Sequence, residues 1–441
     1  MGNVMIGSHL AVAALLACLL PASARAIGEV RTESSALHGQ LTYVEQETNG
    51  FASPYRGPNS LSPGIGRETF DITLYLGTRL WSGAEAWLDP ELDQGFGLDN
   101  TLGAAGFPSG EAYKVGRARP YLRLPRAFVR QTVDLGTALE PVEGAANQLA
   151  GSRGCDRVVL TAGKFGVGDV FDASPYAHDP RTDFLNWTAI DAGSFDYAAD
   201  AWGYTIGASV EWYHGAWTLR AGGFALSTVP NSAHLAPGGH AFQLLAELER
   251  RYSIGERTGR VLVTGYDSRA RIARLADALA LASAGETANI DAIRRYRGRT
   301  GAHLLIEQQL DRDLALFARL GGASGNVEAY EFTDIDRAVE VGTSLTGSRW
   351  GRQRDTIGIA AMTNAISPVR QRYLDAGLLG ILVGDGRLPH PAAERIAEAY
   401  YSLALGDWGT LTADYQHIRN PAYNADRGPA SVFAVRLHAQ F

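Results

Sequence analysis

Between Ala201 and Tyr213 the chain alternates. Trp202, Tyr204, Ile206, Ala208, Val210 and Trp212 occupy the even positions, and Gly203, Thr205, Gly207, Ser209 and Glu211 the odd ones. Successive side chains of a β-strand point to opposite faces, so a period of two makes one face apolar and the other small or polar. Aromatic rings stand at both ends of the apolar row. A soluble sandwich also alternates, but rings at both ends of the row suit a strand that crosses a bilayer and meets water–lipid interfaces at each end.

The pattern recurs to the end of the chain. Trp217, Leu219 and Ala221 oppose Thr218 and Arg220; Phe242, Leu244, Ala246 and Leu248 oppose Gln243, Glu247 and Glu249. Ala302, Leu304 and Ile306 oppose His303 and Glu307, and Leu314, Leu316, Ala318 and Leu320 oppose Asp313 and Arg319. Phe433, Val435, Leu437, Ala439 and Phe441 oppose Arg436, His438 and Gln440. Charge on one face and lipid-like residues on the other imply a polar interior within an apolar belt. Counting back from Phe441 yields about 16 strands, among them 84–89, 124–135, 157–166 and 200–213. The connections alternate between short turns on one rim and long loops on the other. Segment 136–156 is the exception, being long on the short-turn side. The expected fold is therefore all-β: a transmembrane antiparallel β-barrel with long outer loops. Some helix is expected, from Arg269 to Ala284 and from Asn289 to Tyr296.

Composition narrows the remaining classes. The 441 residues carry 40 basic and 47 acidic side chains, a net charge of −7, which leaves no basic footprint for nucleic acid. Two cysteines exclude a disulfide framework. The apolar stretch Ile6–Leu20, followed by Pro21 and Ala24-Arg25-Ala26, reads as a signal peptide over 1–26 cleaved after Ala26. That leaves a barrel domain over 27–441 with Cys155 as its single thiol. Leu15-Leu16-Ala17-Cys18 offers a second reading, a lipoprotein box. Beyond this segment no run reaches the ~18 apolar residues of a membrane-spanning helix.

Five stretches resemble the carbohydrate-selective porin (OprB) family. They are Ala162-Gly163-Lys164-Phe165, the run from Tyr176 to Trp187, and Phe195-Asp196-Tyr197-Ala198-Ala199-Asp200. The others are Gly384-Asp385-Gly386 with Glu398-Ala399-Tyr400-Tyr401, and the run from Asn420 to Pro429. The resemblance implies a sixteen-stranded channel of the bacterial outer membrane that passes sugars. The terminal Phe441 resembles the aromatic end read by barrel-assembly machinery.

A sugar path needs carboxylates, amides and arginines beside aromatic rings, because sugars present both hydroxyl groups and apolar ring faces. Segment 167–199 has this mixture: Asp169, Asp172, Asp179, Arg181, Asp183, Asn186 and Trp187, with further aromatics and Asp191. A loop so rich in both classes is expected to fold into the channel and narrow it. Strand parity adds Glu211, Arg220, Glu247, Glu249, Arg260, His303, Glu307, Arg319, Glu398 and Arg436 as lumen candidates. Charged groups of both signs on the wall set channel selectivity. Catalytic readings find little purchase. Glu247 and Glu249 share a strand face as glycosidase carboxylates might, yet carboxylates alternate with apolar residues throughout. No Gly-x-Ser-x-Gly elbow, zinc-spaced Cys/His cluster or phosphate loop occurs.

The sequence thus points to passive, selective diffusion of mono- and small oligosaccharides through an outer-membrane porin, with no cofactor. A general porin for small polar solutes, an outer-membrane hydrolase and a non-conducting structural barrel are the alternatives. The partners expected are sugars as permeants, outer-membrane lipid and lipopolysaccharide, the barrel-assembly machinery and further copies of the chain in a homo-oligomer.

Overall fold

The computed structural model describes residues 32–112, 116–283 and 289–441; the signal peptide expected over 1–26 lies outside them. In chain order the strands are β1 (Ser35–Thr48), β2 (Gly66–Trp81), β3 (Ala84–Gly95), β4 (Arg117–Asp134), β5 (Leu139–Val142) and β6 (Gly151–Gly154). They continue with β7 (Arg157–Phe165), β8 (Thr205–His214), β9 (Trp217–Ala225), β10 (Phe242–Ile254), β11 (Arg257–Ile272) and β12 (Arg295–Gln309). The last are β13 (Leu314–Ala323), β14 (Arg337–Thr346), β15 (Thr356–Ala365), β16 (Glu394–Ala404), β17 (Gly409–Arg419) and β18 (Ala430–Gln440). Sixteen of these pair antiparallel with their neighbours and close into a barrel where β1 meets β18, Gln40 opposite Gln440. The remaining two, β5 and β6, form a separate hairpin.

Parity places the two faces. On β8, Ile206 and Val210 are exposed whereas Thr205 and Ser209 are buried, so the apolar row looks outward. The same holds for Leu219 on β9, Leu244 and Leu248 on β10, Leu316 and Leu320 on β13, and Phe433 and Val435 on β18. An apolar surface this extended is stable only against lipid. No helix among the described residues is long and apolar enough to cross a membrane, so the crossing is made by strands.

Connections on one rim are tight. Between β8 and β9 and between β10 and β11 the chain reverses over two residues, with Gly215 at φ 54 and Gly255 at φ 61, a region that β-branched or bulky residues avoid. By the asymmetry of such barrels this is the periplasmic rim.

Several sequence expectations need correction. The strands expected over 84–89 and 124–135 lengthen to β3 and β4, because alternation of acidic and basic residues inside the barrel continues past those limits. Trp202 and Tyr204, expected on the lipid face, precede β8 and turn inward. Asp200 accepts the backbone N–H groups of Trp202 (2.9 Å) and Tyr204 (3.2 Å), and Gly203 at φ 96 reverses the chain. The helix expected from Arg269 begins only at Leu275 and runs to Ser283, since Arg269–Ile272 still pair with β12. Its expected end at Ala284 is outside the described residues. The second short helix is Ile290–Ile293, and Arg295 and Tyr296 belong to β12.

Candidate functional site

The interior is not empty. The β7–β8 connection, residues 166–204, folds down inside the barrel, with Phe171, Phe184, Leu185 and Phe195 buried completely. Inward-facing polar side chains hold it there. Gln243 on β10 accepts the N–H of Ala198 and donates to the carbonyl of Asp196, both at 2.8 Å. Arg319 on β13 donates to the carbonyls of Ala177 (2.8 Å) and Ala189 (3.0 Å) while pairing with Asp172 (3.3 Å) and Glu340 (3.1 Å). Glu398 on β16 accepts the N–H of Leu185 at 2.6 Å, and Gln416 on β17 accepts from Asn186 at 2.9 Å. Arg436 on β18 donates to the carbonyls of Pro180 (2.6 Å) and Asp183 (2.8 Å). Residues 327–336 of the β13–β14 connection are buried against the same loop: Asp196 accepts the N–H groups of Tyr330 and Glu331 and pairs with Arg299 at 2.9 Å. Buried charges are tolerated only when paired and hydrogen-bonded in this way.

These anchors lie on the arc from β10 to β18. Three cavities follow one another from the lower parts of β8–β12 towards β4. The first, about 920 Å³, opens at the periplasmic rim and is lined by Arg157, Tyr213, Arg220, Tyr252, Arg260 and Glu307, among others. The second, about 500 Å³, shares Arg153, Arg157 and Tyr213 with it and rises along β4, β7 and β8. The third, about 220 Å³, shares Arg126, Asp169, His178, Asp179 and Arg181 with the second and reaches Trp202 and Tyr204. Shared lining sets them end to end, pressed between the loop and the wall.

The wall side of that path is an arginine ladder. Arg123, Arg126 and Arg130 of β4 point inward beside the carboxylates of β3: Arg123 on Glu91 and Asp93, Arg126 near Asp89 (3.9 Å) and Arg130 near Glu85 (3.9 Å). Arg123 and Arg126 stack over the Tyr204 ring, 5.1 and 4.9 Å from its centre. At the upper end Trp202 donates to the Tyr121 hydroxyl at 2.9 Å.

The loop side carries the opposite sign. Asp169 takes two hydrogen bonds from Arg126, 2.6 and 2.8 Å, and this pairing outweighs burial and holds its carboxyl below the usual range. Asp179 is likewise held low against burial by Arg181. Asp191 differs: burial pushes it up to about 6, with the His178 ring 3.8 Å away pulling the other way. Three buried groups here have no hydrogen-bond partner among the described residues, namely Trp187 Nε1, His178 Nδ1 and Asp191 Oδ1. Trp187 stacks on Phe107 (5.1 Å) and leans on Tyr197 (5.5 Å), so its ring is fixed.

Of the residues expected from sequence, Asp169, Asp179, Arg181 and Trp187 meet in the upper path, Glu211 lines the middle, and Arg220, Arg260 and Glu307 line the lower cavity. The others are placed elsewhere. Asp172, Asn186, Glu247 and Arg319 are buried in the contacts that pin the loop, Glu247 accepting the N–H of Asp172 at 2.9 Å. Asp183 accepts two N–H groups of its own loop, from His178 and Asp179. Absent from that expectation were Arg123, Arg126, Tyr204 and His178; Asp191 was named with the loop. The alternating arginines of 117–130 were the available signal.

A closed barrel with an apolar belt and a polar lumen holding a chain of cavities has the architecture of an outer-membrane porin. The profile of the carbohydrate-selective porin, OprB family matches residues 61–441, and the chain belongs to that family. Among solved structures, Pseudomonas putida OprB at high pH superposes with a TM-score of 0.70 at 16% identity, covering 92% of this chain and 94% of that one. The outer-membrane channel DcaP of Acinetobacter baumannii gives 0.50 at 10% identity, covering 92% and 97%. At such identities the likeness is one of fold. No curated protein matches the sequence.

Proposed function

We propose that the chain lets mono- and small oligosaccharides diffuse passively into the periplasm along the path between β4 and the inward loop. The observation that carries this reading is the upper cavity, where aromatic faces (Trp187, Tyr197, Trp202 and Tyr204) stand beside hydrogen-bonding atoms without a partner among the described residues. A pyranose ring offers an apolar face to the first and hydroxyl groups to the second. Arg126 and Arg181 on one side and Asp169, Asp179 and Asp191 on the other orient water and polar solutes across the path. The charges are nearly all paired within the protein, which favours neutral polyols over ions that would have to compete for those partners. Transport by diffusion requires no bond to be made or broken.

The test is single-channel current through the refolded mature chain in a planar bilayer, titrated with glucose and with short oligosaccharides. Concentration-dependent interruption of the current is expected. Trp187→Phe keeps the ring and removes the N–H, and should weaken the sugar's hold about 2- to 10-fold, the worth of one neutral hydrogen bond. Current indifferent to every sugar would instead identify a general porin for small polar solutes.

A further inference from the structure

The outward face of the barrel ends, above the lipid belt, in arginines. Between the tops of β10, β11 and β12 lies a pocket of about 370 Å³ bounded by His240, Arg271, Arg294, Arg295 and Tyr296. Most neighbouring arginines are compensated: Arg269 by Asp267 (2.8 Å), Arg294 by Glu328 (2.8 Å) and Arg297 by Asp277 (3.4 Å). Arg271 and Arg295 are not. Both are exposed, and their hydrogen bonds go only to backbone carbonyls: Arg271 to that of Arg294, Arg295 to those of Ala292 and Arg294. Neither has a carboxylate within ion-pair distance among the described residues. Tyr296, opposite Arg271 in the sheet, is 57% exposed, an aromatic of the kind that membrane interfaces favour. Down the same outward face come Arg269 and Asp267 of β11 and Gly298 and Thr300 of β12, and below them Val261 and Val263 of β11 and Ala302, Leu304 and Ile306 of β12 form the apolar wall.

A second place on the same rim repeats the motif. Arg395 and Arg419 are directly opposite across β16 and β17, both outward and exposed, above Ala397 and His417 and, further down, Ala399 and Tyr415. Like charges so placed repel, and an anion between them removes the cost. Two uncompensated arginine pairs, each above lipid-facing wall, call for a ligand that is anionic at its head and apolar below. We propose that the Arg271–Arg295 pocket binds the phosphorylated sugar headgroup of an outer-leaflet glycolipid, with its acyl chains along β11 and β12. Guanidinium groups suit phosphate because their paired N–H donors match its oxygens. The inference rests on the outer-membrane location and not on the sugar path, which follows a different part of the wall.

The probe is a bis-phosphorylated lipid A, titrated onto the detergent-solubilised full chain and followed by native mass spectrometry. Wild type should retain it about tenfold or more better than the Arg271→Gln/Arg295→Gln double variant, given roughly 1 kcal/mol of headgroup attraction per basic residue. Fully dephosphorylated lipid A should bind both proteins equally and weakly. Equal retention of the phosphorylated form by both proteins overturns the proposal, as does displacement of the lipid by millimolar inorganic phosphate, which marks a free-phosphate site. Sugar interruption of the current, measured on the same double variant, should be unchanged and certifies its fold. Should that variant fail to assemble, Arg271→Gln alone must still lower retention, or the pocket is not the site.

Discussion

Asp191 is the residue on the path whose charge is most open to adjustment. Burial raises it to about 6, His178 opposes that shift most, and the neighbouring Asp172, Arg319 and His303 add smaller contributions. Its ordinary value in an unfolded chain is about 3.9. The folded state therefore holds the proton more tightly, and this group's contribution to stability falls as pH rises from about 4 to about 6 and is constant above. In the channel the same ionisation adds one negative charge to the upper cavity. Reversal potentials in a salt gradient should shift towards cation preference as pH rises, with a midpoint near 6, and Asp191→Asn should abolish the step. At this scale the sequence was informative where the period of two is unbroken: Ser209, Glu211 and Arg220 sit on the face their positions imply. It misled where the period breaks. Asp89 pairs with Arg126 but Glu91 pairs with Arg123, so a bulge containing Pro90 and Pro125 lies between. Two arginines three positions apart thus face the same way, which no strict parity can find. The prolines themselves were the legible sign, since within sheets they are confined to edges and bulges.

Among the elements, the inward loop depends on a few strand side chains. Arg319 satisfies Asp172, Glu340 and two loop carbonyls at once. Arg319→Ala leaves the buried Glu340 without its ion-pair partner and Asp172 with His303 alone, a loss of about 3–5 kcal/mol. The expected readings are a lower unfolding temperature and a larger, noisier single-channel current, with Arg319→Lys intermediate. On β8 the two faces separate cleanly. Val210→Arg sets a charge in lipid at about 2–4 kcal/mol and should impair insertion into vesicles, while Ser209→Arg should assemble and reduce conductance. Equal assembly of both would overturn the face assignment. That the loop folds inward was legible in its mixture of carboxylates and rings. Which of its residues touch the path was not, because Asp172 and Asp179 are alike in sequence and differ only in what surrounds them. Asp172 meets Arg319 and His303 in full burial, whereas Asp179 meets the open side.

For the whole molecule, the exceptional connection 136–156 acquires a role from its position. Its hairpin, β5 and β6, lies at the periplasmic mouth, where Arg130 donates to the carbonyl of Asn147 at 2.7 Å and Leu149 is buried at 2% exposure. Glu140, Arg153 and Cys155 line the lower cavity. Replacing 139–154 by a short turn should raise conductance by widening the exit and leave sugar affinity unchanged, since the upper cavity is untouched. Current amplitude and sugar titration on one channel measure both. The division of the lumen has a further consequence. The arc from β10 to β18 carries most of the loop's anchors, while β3 and β4 border the upper conduit and touch the loop there chiefly through Arg126 and Asp169. Substitutions on β3 and β4 can therefore retune what passes without loosening the keystones on β10, β13, β16, β17 and β18. Preference and foldability become separately heritable, so a lineage of such chains can change its diet while keeping its scaffold.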